Sequence, residues 1–276
     1  MKTLLLDIMG CHVCIKCMDA EVLALFRVLY GAMAGNRKPS IWKADLTYVA
    51  GCREHGYFAE KSGLEIAASD DIGEFLFMFE QELVVAVQLK RPDLYFLHSA
   101  ILEYRGEAVA LIAPSGSGKS TTAWALLHKG FRYISDEMCA IDLAAMTLTG
   151  FAHALSLKRR PPEPFSLPKA TLRTSRGYHV PVDALPAVAP VRAIRLGAIF
   201  YVRYDRQAQA PECVPVGKAE SCARLYANAL NVLAHPGSGL DAAIRITQAV
   251  DSYSLVTCGL GESCERVIDT LAGKVR

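Results

Sequence analysis

The chain has 276 residues, 52% hydrophobic and 21% charged, and its 30 basic and 28 acidic side chains leave a formal net charge of +2. This composition belongs to a folded globular chain large enough to bury a substantial core, and it excludes extended disorder or a global field that draws the protein to nucleic acid or an anionic membrane. No apolar run approaches the roughly 20 residues that span a bilayer, and nine irregularly spaced cysteines point to reduced thiols rather than a disulfide framework, so a cytoplasmic protein without membrane or nucleic-acid partners is expected.

Met1 to Leu6 has the look of a signal peptide, but Asp7 interrupts its apolar run. A strand is expected over Cys11 to Cys17. An amphipathic helix follows, with Val22, Leu25, Phe26, Leu29 and Met33 at helical spacing, Asp19 as its cap and Gly35-Asn36 with Pro39 as its end. Short β runs come next at Leu46 to Ala50, Gly56 to Ala59 and Leu64 to Ala67. Asp70 and Asp71 then introduce a helix through Phe75, Leu76, Phe79, Leu83 and Val87 that stops near Arg91-Pro92. These elements make a small α+β N-terminal domain, residues 1–92, and leave residues 93–276 for a larger catalytic domain.

From Phe96 the pattern becomes a strand (His98 to Tyr104), a tight turn at Arg105-Gly106, a strand (Glu107 to Ala113), a glycine-rich loop, and a helix (Lys119 to Lys129) that Gly130 closes. Arg132 to Ser135 is the next strand, ending at Asp136-Glu137, and Met138 to Leu143 another. Residues 158–190, rich in proline and arginine with weak periodicity, read as a long functional loop. A strand at Ala198 to Tyr204, helices near Lys218 to Leu233 and Leu240 to Val250, a strand at Tyr253 to Cys258 and a helix from Glu262 complete the chain.

The run Ala113-Pro114-Ser115-Gly116-Ser117-Gly118-Lys119-Ser120 matches the phosphate-binding loop except at its first position, where alanine replaces glycine. Gly116 and Gly118 let successive backbone N–H groups turn inward around phosphates, Lys119 adds a positive charge, and the Ser120 hydroxyl can ligate magnesium. The helix that follows aims its positive end at the same anion. ATP and Mg2+ are therefore the expected ligands. Asp136 and Glu137 end the next strand, which in parallel α/β folds sets them beside the loop; one can hold magnesium and one accept a proton. Their side chains point to opposite faces unless the chain turns there. His98, taken alone, is either a packed core histidine or a catalytic group.

The stretch from His98 through Ser115-Gly116-Ser117-Gly118-Lys119-Ser120, Lys129-Gly130-Phe131-Arg132 and Ser135-Asp136-Glu137 resembles the catalytic core of the bacterial HPr kinase/phosphorylases and their smaller relatives. The resemblance implies an α/β fold with a phosphate-loop core of the HPr-kinase/PEP-carboxykinase-like kind behind the small α+β domain. It implies a nucleotide held by Ser115 to Ser120 and Thr121, metal at Ser120 and Asp136, Glu137 as base toward a serine or threonine hydroxyl, and His98 beside the acidic pair. Two aspartates are usual there, and this chain has a glutamate second. The glutamate and glycine-rich signature of phosphorylase activity is absent, which implies a kinase alone. The small relatives resemble the tailoring kinases of lasso-peptide clusters, so a precursor peptide with a serine or threonine hydroxyl is the implied acceptor and partner.

Between Lys158 and Arg176 six basic residues, Lys158, Arg159, Arg160, Lys169, Arg173 and Arg176, face one acid, Glu163. Lys158, Arg159 and Arg160 are candidate contacts to phosphate or substrate, since the guanidinium fork grips oxyanions. Cys11, Cys14 and Cys17 beside His12 invite a metal, but no second cysteine pair follows, and on a strand Cys14 faces away from the other two. Two alternatives to peptide phosphorylation stay open: a nucleotide-gated binding protein without transfer, and a kinase of a small-molecule hydroxyl.

Overall fold

A computed structural model describes residues 1–35 and 43–273, and contacts divide them into two units. One comprises Met1–Arg91, Ala152–Pro162 and Ser166–Ala184, the other Pro92–Phe151, Glu163–Phe165 and Leu185–Arg276. Among the described residues no helix is long and apolar enough to cross a membrane. Residues 93–276 are thus not one contiguous domain: the chain leaves the second unit after Phe151 and comes back to the first.

The first unit is built on five strands in sequential order, β1 (Lys2–Ile8), β2 (Cys11–Cys17), β3 (Leu46–Arg53), β4 (Gly56–Lys61) and β5 (Leu64–Ser69), with α1 (Ala20–Tyr30) crossing from β2 to its parallel neighbour β3 and α2 (Ile72–Lys90) after β5. Strict alternation of buried and half-buried residues along β2 marks a sheet with one packed face. Both helices cover that face, where Phe26 of α1 meets Phe79 of α2 at 4.6 Å and Phe79 meets Tyr48 of β3 at 5.2 Å. Asp19 stands at the start of α1, but its carboxylate accepts from the Cys52 N–H at 2.7 Å and caps nothing. Asp71 does cap α2, accepting from the Glu74 N–H at 2.8 Å. α1 gives way to a single 3-10 turn at Gly31–Met33; Asn36 and Pro39 lie outside the described residues.

The second unit begins with β6 (Leu94–Leu97), β7 (Ala100–Tyr104), β8 (Glu107–Ile112), α3 (Lys119–Leu127), β9 (Arg132–Ser135), β10 (Cys139–Asp142) and β11 (Thr147–Gly150). The chain next adds β12 (Leu155–Leu157), β13 (Leu172–Thr174) and β14 (Gly177–Val180) to the first unit. It finishes the second with β15 (Ile194–Tyr204), β16 (Glu212–Pro215), α4 (Lys218–Tyr226), α5 (Leu240–Ala249), β17 (Asp251–Thr257) and α6 (Leu260–Gly273). The segment expected to be a loop therefore contains two short strands, β13 and β14, which join β12 in a three-stranded sheet of order β12-β14-β13. It is fastened to its own unit by the Ala154 N–H on the Leu29 carbonyl, 2.8 Å, and by buried His153 against Glu80, 3.0 Å.

In the second unit β6, β10, β11, β15, β8, β7 and β9 lie side by side, and β17 pairs with β15. β8, β15 and β17 are mutually parallel, whereas β7 runs antiparallel to both of its neighbours, β8 and β9. β8 and β9 consequently share a direction and end at one edge, although they are not adjacent. Ala108, Ala110 and Ile112 pack with Cys222 and Leu225 of α4 and Ile246 of α5, and α3 and α6 pack together beside β7, β8 and β17. Burial on both faces explains the unbroken apolar run of β8. α3 ends as expected: Gly130 has φ +90°, and the Phe131 N–H reaches back to the Leu126 carbonyl at 3.2 Å.

Candidate functional site

Ala113, buried at the end of β8, keeps an ordinary backbone, so its Cβ is accommodated where the loop pattern has glycine. Beyond it the chain turns sharply, with Gly116 at φ +86° and Gly118 at φ +92°. A Cβ built on Gly116 meets nothing within 4 Å, so the backbone angle and not crowding selects glycine there. The turn is held by the Ser117 N–H on the Pro114 carbonyl at 3.2 Å and by the Tyr204 N–H, from the end of β15, on the Ser117 carbonyl at 3.1 Å. α3 starts directly at Lys119, and the N–H groups of its first turn, Lys119, Ser120 and Thr121 among them, lack intrahelical acceptors. Donors and helix dipole thus converge on the space in front of the loop.

Lys119 is only 6% exposed and Asp136 0%. The ammonium lies 3.8 Å from Asp136 Oδ1 and 3.1 Å from His98 Nε2, and the Ser120 hydroxyl donates to Asp136 Oδ1 at 3.2 Å. Because an ammonium only donates, His98 Nε2 is the acceptor and the ring proton sits on Nδ1. That Nδ1 faces Glu137 Oε2 at 3.6 Å, beyond hydrogen-bond distance. Asp136, Lys119, His98 and Glu137 form a continuous line of alternating donors and acceptors across 40 residues of sequence.

Two backbone features produce this line. Glu137 has φ +92°, a region seldom occupied by residues with a Cβ. The resulting turn cancels the strand alternation, so Asp136 meets Lys119 and Ser120 while Glu137 meets His98. The Ser135 hydroxyl, fully buried, supports the turn by accepting from the Phe151 N–H at 3.0 Å with its own proton shared between the Met138 and Phe151 carbonyls. His98, expected within a strand, instead occupies the break between β6 and β7, pinned by its N–H on the Asn228 carbonyl at 2.9 Å. Sequence reasoning gave Ser135 no role beyond its place in the resemblance and missed Asn228 and Cys139, the last with its buried thiol 3.2 Å from the Ser99 hydroxyl and pushed up to about 11 by burial. Ser135 had a signal in its place before the acidic pair; Asn228, 130 residues from His98, had none.

The donor set suits magnesium. Ser120 and Asp136 supply one hydroxyl and one carboxylate, hard oxygens of the kind that hold this ion together with nucleotide phosphates and water. Among the described residues no group of three or more His, Cys, Asp and Glu gathers around a metal position, and a site of this composition requires none. Cys11 and Cys17 are buried on one face of β2, and Cys14 is half-buried on the other. Lys158, Arg159 and Arg160 are exposed at the end of β12 in the first unit, whereas His98, Lys119, Ser120, Asp136 and Glu137 all belong to the second.

No protein family matches the sequence, and no curated protein matches it. Among solved structures, the Hpr(Ser) kinase/phosphatase from Coxiella burnetii aligns over 65% of this chain and 92% of its own, at 12% identity and a TM-score of 0.33.

Proposed function

We propose that the second unit binds a nucleoside triphosphate, ATP above all, and transfers its γ-phosphoryl group to a serine or threonine hydroxyl. The observation that carries this reading is the line from Asp136 through Lys119 and His98 to Glu137 beside a glycine-shaped anion loop. A loop that only held nucleotide would have no need of a partly exposed carboxylate beside an imidazole.

In this reading the backbone N–H groups of Gly116 and of residues 118–121, with the Lys119 ammonium, hold the phosphates in line. Ser120 and Asp136 would hold magnesium, which would supply neutralisation of the charge that spreads over the phosphoryl oxygens. Glu137 accepts the acceptor's hydroxyl proton as the oxygen bonds to the γ-phosphorus. The bond from phosphorus to the β,γ-bridging oxygen breaks, and its electron pair leaves with the nucleoside diphosphate. His98, with its Nδ1 facing Glu137, positions that carboxylate. The resemblance to lasso-peptide tailoring kinases supports a precursor peptide as acceptor, since this is the acceptor class of those relatives.

Incubation with ATP, magnesium and peptides bearing serine or threonine at either terminus tests the proposal by mass spectrometry. A phosphorylated peptide is expected with the natural chain, and Glu137→Gln is expected to bind ATP with little change while losing transfer by at least ~100-fold, the lower bound for removing a positioned general base. Undiminished transfer by Glu137→Gln removes the base assignment; nucleotide binding without product from any hydroxyl acceptor removes the kinase reading.

A further inference from the structure

The loop has a second flank. Across the strand order β9-β7-β8-β15, Asp136 and Glu137 follow β9 and His98 lies in the break before β7, on the β7 side of the loop strand β8. β15 and β17, parallel to β8, end on the opposite side of the loop at the same edge. The last residues of these strands are Tyr204 and Thr257. A Cβ built on Gly118 would stand 3.5 Å from Tyr204 Cβ and 3.8 Å from Thr257 Oγ1. The Tyr204 N–H is already bonded to the Ser117 carbonyl, so the backbone that carries this ring belongs to the phosphate loop's own support. Thr257 is buried, but Tyr204 is 53% exposed.

A triphosphate with its γ end at Ser120 and Asp136 that crossed the loop would bring its nucleoside to the β15 side. We infer that Tyr204 is the stacking platform for the nucleobase, a subsite that rests on the nucleotide reading above and extends it. An aromatic ring at a strand end, fixed by a backbone hydrogen bond, offers a base a flat apolar face at small entropic cost. Asp205, the next residue, is engaged by the protein itself: it accepts from the Gln207 N–H at 2.9 Å and from Arg203 Nη1 at 3.1 Å, and its own N–H is on the Thr257 carbonyl at 2.9 Å. Stacking without edge recognition makes the subsite tolerant of base identity.

The test compares ATP, GTP and inorganic tripolyphosphate by calorimetric titration of the full chain with magnesium. Tyr204→Ala is expected to weaken ATP and GTP by about tenfold alike, within the range for loss of one base stack, to leave tripolyphosphate unchanged, and to be rescued by Tyr204→Phe. If Tyr204→Ala does not fold, as judged by circular dichroism, Tyr204→Leu, which keeps bulk but not the ring's π face, carries the same expectation. Equal weakening of tripolyphosphate would make Tyr204 a mere strut of the loop, and unchanged ATP affinity would leave the ring no ligand role; either result overturns the inference. Natural protein that binds tripolyphosphate as tightly as ATP also overturns it while sparing the phosphate loop. Natural protein that binds neither removes the nucleotide reading itself.

Discussion

Replacing Lys119 by methionine keeps the length of the side chain and deletes its charge beside a carboxylate that is 0% exposed. At 3.8 Å the attraction between Lys119 and Asp136 is about 4 kcal/mol for an effective dielectric near 20. Removing one member of such a buried pair typically costs ~3–5 kcal/mol, because the partner's charge stays buried without compensation. The Ser120 hydroxyl still donates to Asp136, which places the expected loss for Lys119→Met at the lower end, about 3 kcal/mol. Asp136→Asn added to it removes the orphaned charge and is expected to restore about 2 kcal/mol, a coupling in the range for directly contacting residues. Urea unfolding followed by tryptophan fluorescence measures this. The chain has two tryptophans, and a Trp42→Phe background leaves Trp124, buried in α3 with its indole N–H on the Phe165 carbonyl at 2.8 Å, to report on the second unit alone. A Lys119→Met loss under ~1 kcal/mol, or strict additivity in the double variant, would refute the claim that Lys119 compensates Asp136. The same substitution is expected to lower phosphoryl transfer at least ~100-fold, the scale of one preorganised electrostatic stabiliser.

The first unit should be acid-sensitive. Burial, reinforced by the charge of nearby His153 and only partly offset by Glu80, pulls His179 from its ordinary 6.5 down to about 4, and its ring nitrogens sit 3.0 Å from the Ser156 hydroxyl and 3.2 Å from that of Thr174. The unfolded chain binds this proton first, so stability is full above 6.5 and falls as pH drops toward about 4. Thermal melts across that window should show a flatter profile for His179→Asn, and an unchanged slope would contradict the assignment. For Glu80, burial pushes the carboxyl up, but His153 outweighs it and holds the group below its usual 4.5; this adds a separate loss under that pH which His179→Asn retains. Gly130→Ala, at φ +90° with open space around the new Cβ, should cost only the backbone term of about 1 kcal/mol and leave nucleotide affinity intact. Gly118→Ala carries the same backbone term inside the loop and should abolish nucleotide binding by titration; retained affinity would mean that the loop conformation is not what holds the phosphates.

Local chemistry made part of this protein legible from its sequence alone. The glycine spacing from Gly116 to Ser120, the even alternation of Cys11 to Cys17, the apolar run before Ala113 and the glycine after α3 each encode a backbone state within a few residues, and each is found where that chemistry puts it. β1 escaped notice because an apolar run of its length carries no period that separates strand from signal sequence. Other features have no local signature at all. The return of residues 152–184 to the first unit rests on pairings such as His153 with Glu80 and Arg176 with Glu74, at 3.0 and 2.7 Å, between positions 73 and 102 residues apart. The site likewise joins the β6–β7 break, the start of α3 and a left-handed Glu137, with Asn228 holding His98 from far along the chain. Sequence periodicity records what each segment prefers by itself; which carboxylate meets which cation is decided by strand order, and in this sheet β7 stands between the strand of the loop and the strand of the acidic pair.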